Sequence, residues 1–348
     1  MKRQSMIRLT SGNLLDAGAE ALVNTVNCVG VMGKGIALQI KQAFPQVFAA
    51  YARACRRGAV QPGRMFTVET GQMIGPRFVI NFPTKRHWKG KSRLEDIEAG
   101  LQALVAELRR LGVKSVAVPP LGCGAGGLDW AEVRPRIEAA LGRLPEVEVL
   151  LFEPKGAPPP DAIKVATAKP RMTRARALFV KLIEQYCEPG YRLTLLEIQK
   201  LAYFLQEAGE ALKLEFTKQK YGPYAENLHF VLQRIEGHYI RGYGDRSRDA
   251  QVYLLPEGRA EAHAALGGEP EAGARLGRVA RLIEGFETPF GLELLSSVHW
   301  VTAKEAAPVV SAGDAVMAVH AWNDRKRTIF EPRHIRIAWD QLRGGGWI

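Results

Sequence analysis

The richest chemical signal in the chain runs from Asn27, at the end of an apolar stretch, through Gly30, Gly33, Lys34, Gly35 and Ile36. Spaced glycines there give way to a helical pattern. Glycine lets a backbone take positive φ and bring its N–H groups against phosphate oxygens, and the positive end of the following helix points to the same place. The chemistry such a loop serves is the holding of a diphosphate, with Gly30, Gly33 and Gly35 turning the chain. Asn27 adds a directional hydrogen bond to a sugar. No Gly-Lys-Ser/Thr closes the loop, so it is not a Walker loop, and its first two glycines stand further apart than in the dinucleotide fingerprint. A plain strand-to-helix turn has the same spacing and stands beside the phosphate reading.

The elements that must position this loop can be read from periodicity. Residues 21–26 and 78–82 read as strands and residues 36–56 as a helix. Leu94, Ile97, Leu101, Leu104, Val105 and Leu108 fall on one face of a helix over 94–111. Residues 116–118 are a short buried strand, 128–141 a further helix and 147–152 the last strand. Strands separated by helices imply an α/β fold: a largely parallel sheet covered on both faces, with a binding crevice at the strand ends.

The pattern stops at Pro154, and residues 154–173, which include Pro158, Pro159 and Pro160, read as a linker between domains at 6–153 and 174–348. Beyond it the chain reads as mainly helical. Leu178, Phe179, Leu182, Ile183 and Tyr186 share a face, and Thr194 with Glu197 forms a capping box opening a helix through Leu212. Tyr221-Gly222-Pro223-Tyr224 reads as a helix break and restart, with Pro223 in the new first turn.

At 348 residues and 47% apolar side chains, two cores can be buried. The net charge is +12, and residues 1–160 hold 22 Lys and Arg against 13 Asp and Glu, or +9 of that excess. A domain handling a polyanion has this balance. Cys28, Cys55, Cys123 and Cys187 make no C-x-x-C pair and the basic start is followed by no secretory apolar segment, so a reducing, cytoplasmic setting is expected. No run of eighteen apolar residues exists, so no membrane span is expected. The histidines show no metal-ligand spacing, and neither metal nor cofactor is expected.

In sequence order, Gly12-Asn13-Leu14-Leu15, the asparagine-bearing strand 23–27, the loop 30–37 and Pro120-Leu121-Gly122-Cys123-Gly124-Ala125-Gly126-Gly127-Leu128 resemble the macrodomain family, modules that bind ADP-ribose. The resemblance covers nearly all of residues 6–154 and implies a three-layer α/β/α fold with a mostly parallel mixed sheet. Asn81-Phe82-Pro83-Thr84-Lys85-Arg86-His87-Trp88 is similar to the branch that contains terminal ADP-ribose glycohydrolase and the DarG antitoxins. A macrodomain joined to a helical domain is likewise the layout of the DarG family, whose partner is DarT, a toxin that attaches ADP-ribose to thymine or other bases in single-stranded DNA.

The resemblance implies residue roles. Asn13 and Leu14, the first loop (Gly30, Gly33, Lys34, Gly35, Ile36) and the second (Gly122, Cys123, Gly124, Ala125, Gly126) would hold ADP-ribose. Asn13 stands where the family usually carries an aspartate that meets the adenine amino group. Asn27 would orient the distal ribose toward Lys85, the catalytic lysine. A lysine attacks an anomeric carbon only when neutral, and crowding by Arg86, Lys89 and Lys91 would favour the neutral amine; a charged Lys85 would instead stabilise the departing base. A loop aspartate that assists the lysine elsewhere in the branch aligns here with Gly126, which leaves His87 or Asp129 as acids, Asp129 being equally suited to cap the following helix. Cys123 is expected to pack rather than react. Trp88, Lys89, Lys91 and Arg93 would grip a DNA strand, the ring stacking on a base, unless Trp88 is core. The implied function is an antitoxin enzyme that removes ADP-ribose from DNA and binds a DarT-like toxin through its second half. The rivals are a module that binds ADP-ribose without cleaving it and a glycohydrolase acting on modified protein.

Overall fold

A computed structural model describes residues 6–72, 75–155, 158–186, 191–244 and 250–348. Two compact units divide the chain: the first runs to Ala168 and also takes in Gly244, and the second opens at Lys169.

The first unit runs β1 (Ile7–Thr10), β2 (Ala21–Asn27), α1 (Gly35–Ala43), α2 (Pro45–Arg56), β3 (Phe66–Glu69), β4 (Phe78–Lys85), α3 (Leu94–Leu111), β5 (Ser115–Val118), α4 (Trp130–Leu141) and β6 (Glu148–Phe152). The sheet order is β1-β6-β5-β2-β4-β3. All neighbours are parallel except β3, which runs antiparallel to β4 at the edge. Successive strand residues face opposite sides, and the core is sorted accordingly. Val23, Ile80 and Val149 pack with Ile97, Leu101, Val133 and Ile137 of α3 and α4. On the other face, Leu22, Val79 and Leu150 pack with Ile40 and Phe44. This is the three-layer α/β/α mixed sheet that the resemblance implies.

From β2 the chain moves to β3 and β4 on one side, then returns through α3 to β5 on the other. A crevice therefore opens beyond the carboxyl ends of β2 and β5, where such sheets bind ligands. Residues 36–56 are not one helix. Pro45 begins α2, and the residue before a proline is pushed out of helical geometry, Phe44 taking φ −133° and ψ 71°. Of the stretch read as linker, Ile163 is buried, the Ala166 N–H bonds the carbonyl of Gln42 and Lys164 pairs with Asp16, all within the first unit. Gly156, Ala157 and Cys187 lie outside the described residues.

The second unit is mainly helical: α5 (Arg174–Tyr186), β7 (Leu193–Thr194), α6 (Leu195–Glu207), β8 (Phe216–Gln219), β9 (Gly222–Ala225), α7 (Leu228–Ile235), β10 (Ile240–Arg241), β11 (Gln251–Leu254), α8 (Pro256–Leu266), α9 (Pro270–Ile283), α10 (Pro289–Ala303), α11 (Ala312–Trp322), α12 (Asp324–Ile329) and α13 (Pro332–Gly344). The Thr194–Glu197 capping box is present at the start of α6. The helix ends at Glu207 rather than Leu212, where Gly209 at φ +98° turns the chain out.

Tyr221-Gly222-Pro223-Tyr224 is no helix restart. Gly222 at φ +94° closes a two-residue turn, and Gln219 pairs with Gly222 in an antiparallel hairpin of β8 and β9. One interior lysine holds this hairpin and a second is buried against α10. The Lys200 ammonium donates to the Pro223 carbonyl, and Lys326 donates to Glu293 and Ser297. Burial pushes Lys200 down to about 7.

Candidate active site

Parallel pairing of β2 with β4 sets the centre of the site. The ladder runs regularly to Val26 opposite Pro83, then slips, so that Asn27 faces Lys85 and Thr84 is passed over. Both residues stand at the carboxyl ends of their strands. The Lys85 ammonium reaches across and donates to the Ala125 carbonyl in the second glycine loop. Burial, and not neighbouring cations, lowers the Lys85 pKa from the ordinary lysine value. Arg86, one of the cations expected to crowd Lys85, is paired with Asp96, with contacts of 3.0 and 3.3 Å.

Asn27 is buried, and its amide braces the first loop. Its Oδ1 accepts the N–H groups of Val29 at 3.0 Å and Val31 at 3.3 Å, while its Nδ2 donates to the Val31 carbonyl at 2.6 Å. The Tyr51 hydroxyl donates to the Asn27 carbonyl at 2.6 Å. An amide nitrogen carries two hydrogens, so one Asn27 N–H is left over among the described residues. Asn27 thus performs the turn-stabilising role and keeps a donor besides.

In the first loop Gly30 at φ +80° and Gly35 at φ +58° require glycine. Gly33 does not take positive φ, contrary to the sequence expectation, since the turns on either side of it complete the reversal. Lys34 caps α1 without a side-chain hydrogen bond, so the first-turn N–H groups of Gly35 and Ile36 face outward with no side-chain cap. Asn13 caps the short turn that follows β1: its Oδ1 accepts the Leu15 N–H and its Nδ2 donates to Asp16 at 2.6 Å. Leu14 is buried in the apolar cluster against which Ile36 packs, which ties this turn to the start of α1.

The second loop folds on itself through Leu128 N–H to Gly122 carbonyl and Gly127 N–H to Gly124 carbonyl bonds. Gly122 takes φ +73°, and Gly124 and Ala125 are exposed. A Cβ on Gly126 would fall 2.2 Å from the Gly122 carbonyl oxygen and 2.2 Å from Ser92 Oγ, so an acid side chain could stand there only if the loop shifted. Asp129 caps α4, accepting the Ala131 N–H at 2.9 Å. Cys123 is half-buried against the core and burial pushes its thiol up to about 11, the mark of a packing cysteine.

Trp88 is 45% exposed and therefore not core. Lys89 Nζ lies 5.1 Å from its ring centroid, His87 stacks beside it at 5.6 Å, and Lys91 and Arg93 are exposed. Among the described residues no group of His, Cys, Asp or Glu is arranged to hold a metal, and no helix is long and apolar enough to cross a membrane. Tyr51, Ser92 and the Arg86–Asp96 pair are neighbours of the site that carry no sequence signal, because each acts through a contact made only on folding.

The Macro domain family matches residues 23–137. A protein of Thermus aquaticus named DNA ADP-ribosyl glycohydrolase is 50% identical over 337 residues, which cover 97% of this chain and 93% of that protein. This chain belongs to the DNA ADP-ribosyl glycohydrolase family. A member from Mycobacterium tuberculosis is 43% identical over 353 residues, covering 97% of this chain and 99% of its own length. Family likeness therefore extends through both units. A Thermosipho africanus protein, named as a fusion of a DNA ADP-ribosyl transferase with a DNA ADP-ribosyl glycohydrolase, is 35% identical over 169 residues, covering 44% of this chain and 43% of that protein.

Proposed function

We propose that the first unit removes ADP-ribose from bases of single-stranded DNA, thymine foremost, and that the second unit neutralises a DarT-like toxin by binding it. The observation that carries the enzymatic reading is the register of Asn27 with Lys85, which sets an amine of lowered pKa between two glycine loops. The uncapped first turn of α1 and the backbone of residues 28–35 are suited to the diphosphate. Asn27 holds that loop closed and offers its remaining N–H to the distal ribose. Neutral Lys85 attacks the anomeric carbon with its lone pair as the sugar–base bond breaks; the base leaves with a proton from solvent, and water then releases the sugar from the lysine. Trp88 and Lys89 beside the amine suit a flanking base and phosphate.

Support for the toxin as partner comes from the Thermosipho africanus relative, whose name joins transferase and glycohydrolase in one chain. The rival reading, a module that holds ADP-ribose without cleaving it, draws on Gly126, where an acid would fit only if the loop shifted. Incubating an ADP-ribosylated single-stranded oligonucleotide with the parent and Lys85→Ala proteins separates the two: release of ADP-ribose by the parent alone is expected, and release by neither establishes the binding module. Full-length Lys85→Ala co-expressed with the toxin tests the second unit. Partial rescue of growth and a co-purifying complex are expected; absence of both leaves the first unit as the sole defence.

A further inference from the structure

Ser92 lies between β4 and α3 and is given no role by the resemblance, although it packs against Gly122 and Gly126 of the second glycine loop. Its side chain is buried, with 7% exposure, and its hydroxyl has no hydrogen-bond partner among the described residues. Leaving a buried hydroxyl unpaired is costly, so its retention calls for a reason. The Ser92 N–H donates to the Gly126 carbonyl at 3.0 Å. Its Oγ occupies the space next to Gly126 that a side chain there would need, 2.2 Å from where a Cβ would stand. Its Cβ lies 3.1 Å from the corresponding position on Gly122. Ser92 therefore plugs the hollow left by two glycines, and the residue preceding Gly126 is Ala125, whose carbonyl receives the Lys85 ammonium.

We propose that Ser92 is a positioning residue: by filling the hollow between Gly122 and Gly126 it fixes the Ala125 carbonyl and thereby aims Lys85 at the anomeric carbon. This rests on Lys85 being the reacting amine. The oxygen acts by its volume, having no hydrogen bond to make, and the backbone bond to Gly126 anchors the plug.

The test is steady-state cleavage of an ADP-ribosylated oligonucleotide by Ser92→Ala, Ser92→Thr and Lys85→Ala, with pH profiles and melting curves. Ser92→Ala empties the space beside Gly126, so kcat is expected to fall about ten- to hundredfold while KM stays within about threefold. The pH midpoint of kcat is expected to move toward the ordinary lysine value as Lys85 loses its fixed, partly buried place. Ser92→Thr, which keeps the oxygen, restores both. The melting temperature of Ser92→Ala should equal or exceed that of the parent. Parent-like kcat and midpoint in Ser92→Ala overturn the proposal, as does a loss confined to KM or a Ser92→Ala chain that melts early, since the hydroxyl would then serve binding or folding. An active Lys85→Ala protein overturns instead the underlying reading of Lys85.

Discussion

Asn27 and Lys85 stand opposite one another at the ends of β2 and β4 only because the ladder slips by one residue after Val26. A regular register would have set Asn27 against Thr84, whose buried side chain lies at 4% exposure. The slip turns Lys85 to the crevice side, where its ammonium meets Ala125.

Lys85→Ala is expected to lower cleavage of ADP-ribosylated DNA by at least about a hundredfold, because nucleophilic or electrostatic help contributes on that scale. Affinity for free ADP-ribose should change by less than about tenfold, as uniform binding lies mainly with the loops. Single-turnover rates beside calorimetric titration check the split.

The pH profile carries a sign. Burial lowers the Lys85 pKa below 10.5, so the neutral amine that the proposed attack needs becomes available at lower pH than for a free lysine. The rate should rise with pH through a midpoint below 10.5 and level off above it. A rate that falls over the same interval would show that the charged amine is the working form.

Asn27→Ala removes the brace from residues 28–31. Loss of hydrogen bonds to two N–H groups and a carbonyl should destabilise the first unit by about 1–3 kcal/mol and weaken ADP-ribose binding by about ten- to hundredfold. Asn27→Asp keeps the acceptor but loses the donor to Val31, so an intermediate affinity is expected. Chemical denaturation and calorimetry on the three proteins measure both.

Gly126→Asp places an acid where the glycohydrolase branch carries one, yet activity should fall rather than rise. The new Cβ meets the Gly122 carbonyl at 2.2 Å, and the loop must open to admit it. Lower turnover together with a lower melting temperature is the expected result; enhanced turnover would show that the loop yields without loss.

Lys200 gives the second unit a pH-dependent stability. Its folded pKa of about 7 lies below its unfolded value near 10.5, so between these limits the unfolded chain binds more protons and stability rises with pH. Below about 7 the full burial penalty applies. Lys200→Met should flatten this rise; Lys326, also lowered by burial, leaves a residual slope. Urea melts of the second-unit transition at pH 7 and 9.5 compare the slopes.

The sequence by itself determined most of the elements of the first unit and their order, though neither the break between α1 and α2 nor the edge strand β3. Apolar periodicity over 94–111 matches α3 residue for residue, and the short apolar runs at 78–82 and 116–118 sit within β4 and β5. Local chemistry was legible wherever neighbours in sequence are also neighbours in space: the Thr194–Glu197 box and the Asp129 cap both form as read. Local reading failed at Gly222, whose positive φ serves a hairpin held from within by Lys200, 23 positions from the Pro223 carbonyl it bonds. Tertiary structure alone decided which groups meet. Arg86 pairs with Asp96, burial rather than nearby charge sets the amine's pKa, and Asn27 spends most of its amide on its own loop. Each depends on packing between β4, α3 and the two glycine loops, and such contacts have no local periodicity from which to be read.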